Sequence, residues 1–374
     1  MLLVLDPSLI SGINQNLNVV DALDLIADAR RLGKHMVFGQ REVIKFLVNC
    51  EQLSMRARSV YRKLYEDLPT TKEYLNRINL SVEIVFEDTL EVLETEKSKV
   101  IRASFKYFTD FSILDKTILL AEDHDDILLY HRIVNAYLKW NNWSGVSIKF
   151  DARSGGGRNT DKAFNIIQGS KERFCLCLLD SDRETPKSSV GDTAASVLKI
   201  NDKNQPLCDA IAIGVRAVEN LVPTSIYRKV FSHDPNKKTA LLFLDTLESS
   251  QFLESRIYLD FKKDLKLEKI LKEPPNTEFR KYWINFAREF SSGNMQISST
   301  CLEQQVCAQP SSCQCCVTLG LGTRIIKKVE STYSNRDISD MVCDNLKPEW
   351  EKIGYLIVSW CCASSQLSTI GASS

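Results

Sequence analysis

Three apolar stretches of this chain run directly into carboxylates. Residues 118 to 126 read Ile-Leu-Leu-Ala-Glu122-Asp-His-Asp-Asp126, a strand candidate entering an acidic turn. The pattern recurs as Cys175-Leu-Cys-Leu-Leu-Asp180-Ser-Asp182-Arg183, and again as Ala210-Ile-Ala-Ile-Gly214 followed by Arg216-Ala-Val-Glu219-Asn220. Open parallel sheets bind ligands at the carboxyl ends of their strands, so these ends predict one shared acidic cluster. Carboxylates without histidine or thiolate suit a hard cation, Mg2+ or Mn2+. Phosphodiester hydrolysis needs an activated water, relief of charge at phosphorus and neutralisation of the leaving oxygen, and carboxylate-held metal supplies these. Singly, each carboxylate suits a solvated turn or a helix cap equally well. The weight lies in their occurring together.

The elements that must position these groups can be read from periodicity and punctuation. Thr117 to Leu120 predicts a strand and Asp125 to Trp140 a helix. Val146 to Phe150 predicts the next strand, ending in Asp151-Ala-Arg-Ser-Gly155-Gly156-Gly157-Arg158. Asp161 to Gln168 reads as a helix, with Phe174 to Leu179 and Ala210 to Gly214 as strands. Strand and helix alternation over residues 117–223 implies a doubly wound parallel sheet, hence an α/β fold. Residues 1–110 repeat the grammar: strands at Leu2 to Leu5, His35 to Phe38 and Ser81 to Phe86, with helices at Val19 to Leu32 and Glu42 to Cys50. Gly33 stands where glycine stops a helix. A strand ending at Asp6, with Glu42 at a helix start, faintly resembles a PIN-type ribonuclease; a regulatory or docking role is the other reading. Residues 224–374 read as mainly helical, basic and aromatic, with a Ser, Gln and Cys-rich stretch over 295–320. From Gly354 an apolar strand or helix segment leads into a polar tail.

Taken in order, the elements between Ile118 and Glu219 resemble a TOPRIM domain, and within that group the OLD (overcoming lysogenization defect) nucleases. The carrying residues are Glu122 at a strand end, Asp126 one turn on, and the pair Asp180 and Asp182. The Gly155 to Gly157 turn and Glu219 within Glu-Asn-Leu-Val-Pro223 complete the set. The resemblance covers just over a quarter of the chain. It implies a TOPRIM-like Rossmannoid sheet, with Glu122, Asp126, Asp180, Asp182 and Glu219 holding Mg2+ or Mn2+. It also implies that the glycine turn lets backbone approach a phosphate. A basic residue is expected to stabilise the transition state. Lys262 in Tyr258-Leu-Asp260-Phe-Lys262 is similar to an Asp-x-Lys segment of that family, although Asp264 stands where glycine often follows; Arg183 is the alternative. Free-standing TOPRIM proteins resemble effectors of bacterial anti-phage systems, often paired with an ATPase. This sequence has no Gly-x-x-x-x-Gly-Lys-Ser/Thr loop, so an ATPase would be a separate subunit. Self-assembly into a homo-oligomer is a further expectation.

Composition bounds these readings. The 374 residues carry 48 Lys and Arg against 48 Asp and Glu, so a polyanion must be met by a local basic patch. Asp6 interrupts the apolar start and the Ile353 to Ala363 stretch is too short to span a bilayer, so a cytoplasmic protein without membrane contact is expected. Among twelve cysteines the one close-set group of three is Cys313, Cys315 and Cys316, with no histidine nearby, a poor match to the paired spacing of a zinc site. Two other classes remain. A receiver-like phosphoacceptor domain would share the strand ending at Asp180, but leaves the glycine turn, Asp182 and Glu219 without a role. A TOPRIM-like scaffold that binds without catalysis would retain the fold, although an unused carboxylate cluster repels itself.

Overall fold

A computed structural model of the chain describes residues 1–290, 297, 299–307, 314–333 and 337–367. The N-terminal region holds β1 (Leu2–Leu5), α1 (Ser8–Ile13), α2 (Leu17–Arg31), β2 (Met36–Gly39), α3 (Arg41–Asn49), α4 (Met55–Leu75), β3 (Leu80–Val85), β4 (Leu90–Glu94) and β5 (Lys99–Ser104). Its sheet runs β2-β1-β3-β5-β4, parallel except for the edge strand β4. Gly33 follows α2 at φ +66°, as its place in the sequence predicts. The 21-residue α4, begun by a Ser54 side chain that accepts from the Ala57 N–H, and the β4–β5 hairpin were not anticipated. Asp6 accepts a hydrogen bond from the Ser8 N–H and Glu42 lies exposed at the start of α3. Neither belongs to a group of three or more His, Cys, Asp or Glu side chains placed to hold a metal ion among the described residues.

The central region holds β6 (Thr117–Ala121), α5 (His124–Trp140), β7 (Ser147–Ile148), β8 (Phe150–Ser154), α6 (Thr160–Ser170), β9 (Cys175–Leu179), α7 (Asp192–Ile200) and β10 (Cys208–Ala212). Strands β10-β9-β6-β8 form an all-parallel sheet. Every residue of β6 and β9 is buried, the unbroken apolar pattern of strands covered on both faces. The strand expected at Val146 to Phe150 is displaced: the sheet takes Phe150–Ser154, while Ser147–Ile148 pairs elsewhere. Strand β8 sits at the sheet edge, where Asp151 and Arg153 stay half in solvent as an ion pair of 2.9 Å. That polarity disguised it as a turn.

The remaining elements are α8 (Thr224–Val230), α9 (Lys238–Glu248), β11 (Leu265–Lys266), α10 (Leu267–Lys272), α11 (Glu278–Glu289), α12 (Ser299–Gln304), β12 (Cys316–Thr318), α13 (Ile325–Tyr333), α14 (Lys347–Cys361) and β13 (Cys362–Ala363). Helix α14 is the surprise. It buries Trp350, Ile353, Ile357 and Trp360 against α5 and reaches strands of both sheets. Full burial of each such side chain stabilises by about 1.5–3 kcal/mol. The chain end then pairs β13 with β7, and Ser364 and Leu367 donate to carbonyls of His35 and Arg31. One continuous core therefore runs through all three regions. No helix among the described residues is long and apolar enough to cross a membrane.

Gly354 lies inside α14 where a Cβ would fall 2.4 Å from the Cβ of Tyr137 on α5. The two helices touch there backbone to side chain. Gly354→Ala is expected to lose about 1–3 kcal/mol through overpacking despite alanine's better helix propensity, read as a lower urea midpoint. A gain in midpoint would show that the α5–α14 contact is looser than the structure has it.

Candidate functional site

Strands β6 and β9 are neighbours in register, Leu119 beside Leu176, and β10 follows β9. The turns after these three strands therefore open at one sheet edge. A cavity of about 290 Å³ lies there, lined by Glu122, Asp126, Asp180 and Glu219. Asp123, Asp125 and Gly157 complete its near wall; Lys262, Arg324, Ile325 and Ile326 arrive from the C-terminal region. Local structure fixes each group. Asp123 caps α5, and Asp126 reaches back to the Asp123 N–H at 3.0 Å, a reciprocal capping box. Asp180 accepts from the Val218 N–H at 2.9 Å, tying the end of β9 to the turn that carries Glu219.

The electrostatics are those of carboxylates crowded away from water. Burial, then the charges of Asp182 and Asp126, push Glu122 up to about 7. Burial also lifts Asp126 to about 7, against the restraining Asp123 N–H and with help from Glu219. Asp180 is raised well above the usual carboxylate range by burial and by Asp126, Glu219 and Glu122. Lys262 is the counter-charge. Its Nζ stands 3.0 Å from Glu219 Oε1, and although burial pulls its pKa down, Glu219, Asp180 and Asp126 hold it above the ordinary lysine value.

Two oxygens bear on whether a cation fits. Glu122 Oε1 and Glu219 Oε2 are buried and accept no hydrogen bond, an expensive state for hard anionic donors without a partner. Both face the chemistry that Mg2+ or Mn2+ asks for. Yet among the described residues no group of three or more His, Cys, Asp or Glu side chains is set to hold a metal ion. One oxygen of each other acid is already engaged: Glu219 with Lys262, Asp126 with Asp123, Asp180 with Val218. The donor set fits a hard cation in type, and side-chain rotation is needed to share one.

Several expected residues stand elsewhere. Asp182 is exposed at φ +50°, held by the Gly191 contact and the Arg216 carbonyl; it acts on Glu122 through charge but does not line the cavity. Arg183 is exposed and also outside the lining, because the left-handed turn at Asp182 redirects the chain. The glycine turn behaves differently from an open phosphate cradle. Gly155 donates to the Ala121 carbonyl, and Gly156 and Gly157 both donate to the Glu122 carbonyl at 3.2 and 3.1 Å. Gly156 and Gly157 need their left-handed backbone, φ +75° and +63°, to make that clamp. Only Gly157 faces the cavity, with open space where a side chain would stand.

The expectation missed Arg324, although Gly320-Leu-Gly322-Thr-Arg324 ahead of a helix was a legible turn signal. Of the cysteine cluster, Cys313 lies outside the described residues. Comparison with family models, curated proteins and solved structures finds no match for this chain.

Proposed function

We propose that this protein is a metal-dependent phosphodiesterase of TOPRIM type that cuts DNA or RNA. The observation that carries the reading is the convergence of Glu122, Asp126, Asp180 and Glu219 on one cavity with Lys262 among them. Glu122, Asp180 and Glu219 would hold Mg2+ or Mn2+, with Asp126 beside them and the Asp182 charge behind Glu122. A bound divalent cation supplies polarisation of the phosphoryl oxygen and a more acidic water. The chain's own part is placement and proton handling. Lys262 Nζ, cationic throughout the neutral range, neutralises charge developing on the phosphoryl oxygens. Glu122, which burial and its acidic neighbours hold near 7 without a cation, would give up that proton as the cation binds and present a carboxylate to the cation and the attacking water. The apolar side chains of Ile325 and Ile326 limit water at the cavity mouth.

A second reading, a binding module of the same fold without catalysis, is favoured by one observation: no three-ligand group is formed among the described residues. A cleavage assay separates the two. Purified protein is incubated with Mg2+ or Mn2+ and plasmid, single-stranded DNA or total RNA, beside Lys262→Ala and Asp180→Ala. Metal-dependent cutting that drops by about 10²–10³-fold in both variants supports hydrolysis. Unaltered cutting in both variants removes the assigned site, and no cutting on any substrate favours the binding module or a missing ATPase partner.

A further inference from the structure

One wall of the cavity belongs to none of the acidic motifs. Arg324 lines it beside Ile325 and Ile326, the first residues of α13. Its backbone is left-handed at φ +58°, a conformation that non-glycine residues adopt where the surroundings impose it. Its guanidinium is exposed and makes no hydrogen bond or ion pair among the described residues. Six carboxylates line the same cavity: Glu122, Asp123, Asp125, Asp126, Asp180 and Glu219. The nearby acids pair instead with lysines: Glu219 with Lys262 at 3.0 Å, and Asp125 with Lys327 at 3.7 Å. Helix α13 is not loose, because Arg132 of α5 grips both carboxylate oxygens of its Glu330. An arginine whose backbone is held at the mouth of an acidic cavity, and whose guanidinium pairs with none of its acids, is available to an anion brought from outside.

Further cations extend from it. Lys327 stands one turn along α13, Lys328 lies over the Phe231 ring at 4.8 Å, and Lys237 Nζ approaches Gly322 on the other flank of the Arg324 turn. A lone phosphate would engage one such group; a row of them suits successive phosphates of a chain. We infer that Arg324 grips the phosphate neighbouring the scissile one, and that the α13 face carries the onward polynucleotide backbone. This assignment rests on the phosphodiesterase reading. The whole molecule is electrically neutral, so this local row supplies the basic patch that a polyanion requires.

The test is fluorescence anisotropy with labelled single-stranded DNA, single-stranded RNA and duplex DNA, in Ca2+ and over a range of salt. The parent is compared with Arg324→Gly and Arg324→Lys. Glycine accepts the left-handed backbone without strain, so its melting temperature should stay at or above that of the parent. Arg324→Gly is expected to raise Kd by about tenfold or more and to flatten the log Kd against log salt slope by ~0.7–0.9, one phosphate contact. Arg324→Lys should keep the slope and lose a smaller factor, since an ammonium cannot make the bidentate contact. The polynucleotide whose affinity moves identifies the substrate strand. Equal Kd and slope for the parent and Arg324→Gly, or no binding of any polynucleotide by the parent, overturns the assignment. The two proposals fail separately. Metal-dependent cutting by Arg324→Gly with the parent's KM would sink the clamp and leave hydrolysis standing. Arg324-dependent binding by a parent that cuts nothing would uphold the clamp and sink hydrolysis.

Discussion

Glu122→Gln is expected to abolish phosphodiester cleavage and, in the absence of divalent cation, to raise the melting temperature. The two effects share one cause. Glu122 is forced to hold its charge beside Asp126 and within reach of Asp182, with Oε1 buried and unpartnered. A bound cation would relieve that strain; without one, the charge opposes folding. Glutamine keeps the shape and removes the charge. Displacement of Glu122 from 4.5 to about 7 corresponds to roughly 3 kcal/mol at full value, and on the order of 1 kcal/mol once screening in a solvent-open cavity is allowed for. For a chain of this size that is about 1–3 °C. Loss of activity should be about 10²–10³-fold or greater. Differential scanning calorimetry in chelator, beside the cleavage assay, reads both. A variant that melts lower and still cuts would show that Glu122 is a structural carboxylate.

Divalent-cation binding is expected to strengthen steeply from pH 6 to pH 8. Glu122 and Asp126 both sit near 7 in the folded chain, against 4.5 and 3.8 when unperturbed. Between those limits the folded state holds more protons than the unfolded one, so the slope of stability with pH is negative there. The contribution of these groups to metal-free stability is thus largest below about pH 4 and is lost as pH rises through about 7. A cation needs the unprotonated oxygens, so binding must release the protons that burial retains. Near pH 6 each released proton weakens binding by up to about tenfold per pH unit; above pH 8 the dependence should flatten. Calorimetric titration with Mg2+ or Mn2+ in two buffers of different ionisation enthalpy counts the protons. A dissociation constant independent of pH over this range would mean that the cation, if bound, sits away from Glu122 and Asp126.

The sequence was sufficient wherever a local rule had no competitor. Unbroken apolar runs identified β6 and β9 because strands buried on both faces admit nothing else, and the acids at their ends followed from strand direction. Strand β10, a partly exposed edge strand that includes Asp209, forms at Cys208–Ala212, two residues ahead of the expected Ala210 to Gly214. Gly33 behind α2 was legible for the same reason: few residues other than glycine take that backbone. Where burial was partial, pattern failed. Polar β8 resembled a turn because an edge strand tolerates Asp151 and Arg153, and α14 was ambiguous because a helix packed on several sides loses its polar stripe. Tertiary structure alone decided which acids meet. Asp182 and Asp180 are two residues apart, yet a left-handed turn sends one into solvent and leaves the other among carboxylates. Lys262 and Arg324 reach the cavity from 43 and 105 residues beyond Glu219, distances over which sequence carries no contact information. Side-chain types specify what chemistry is available; convergence depends on how helices pack across a shared core, and that is a property of the whole chain.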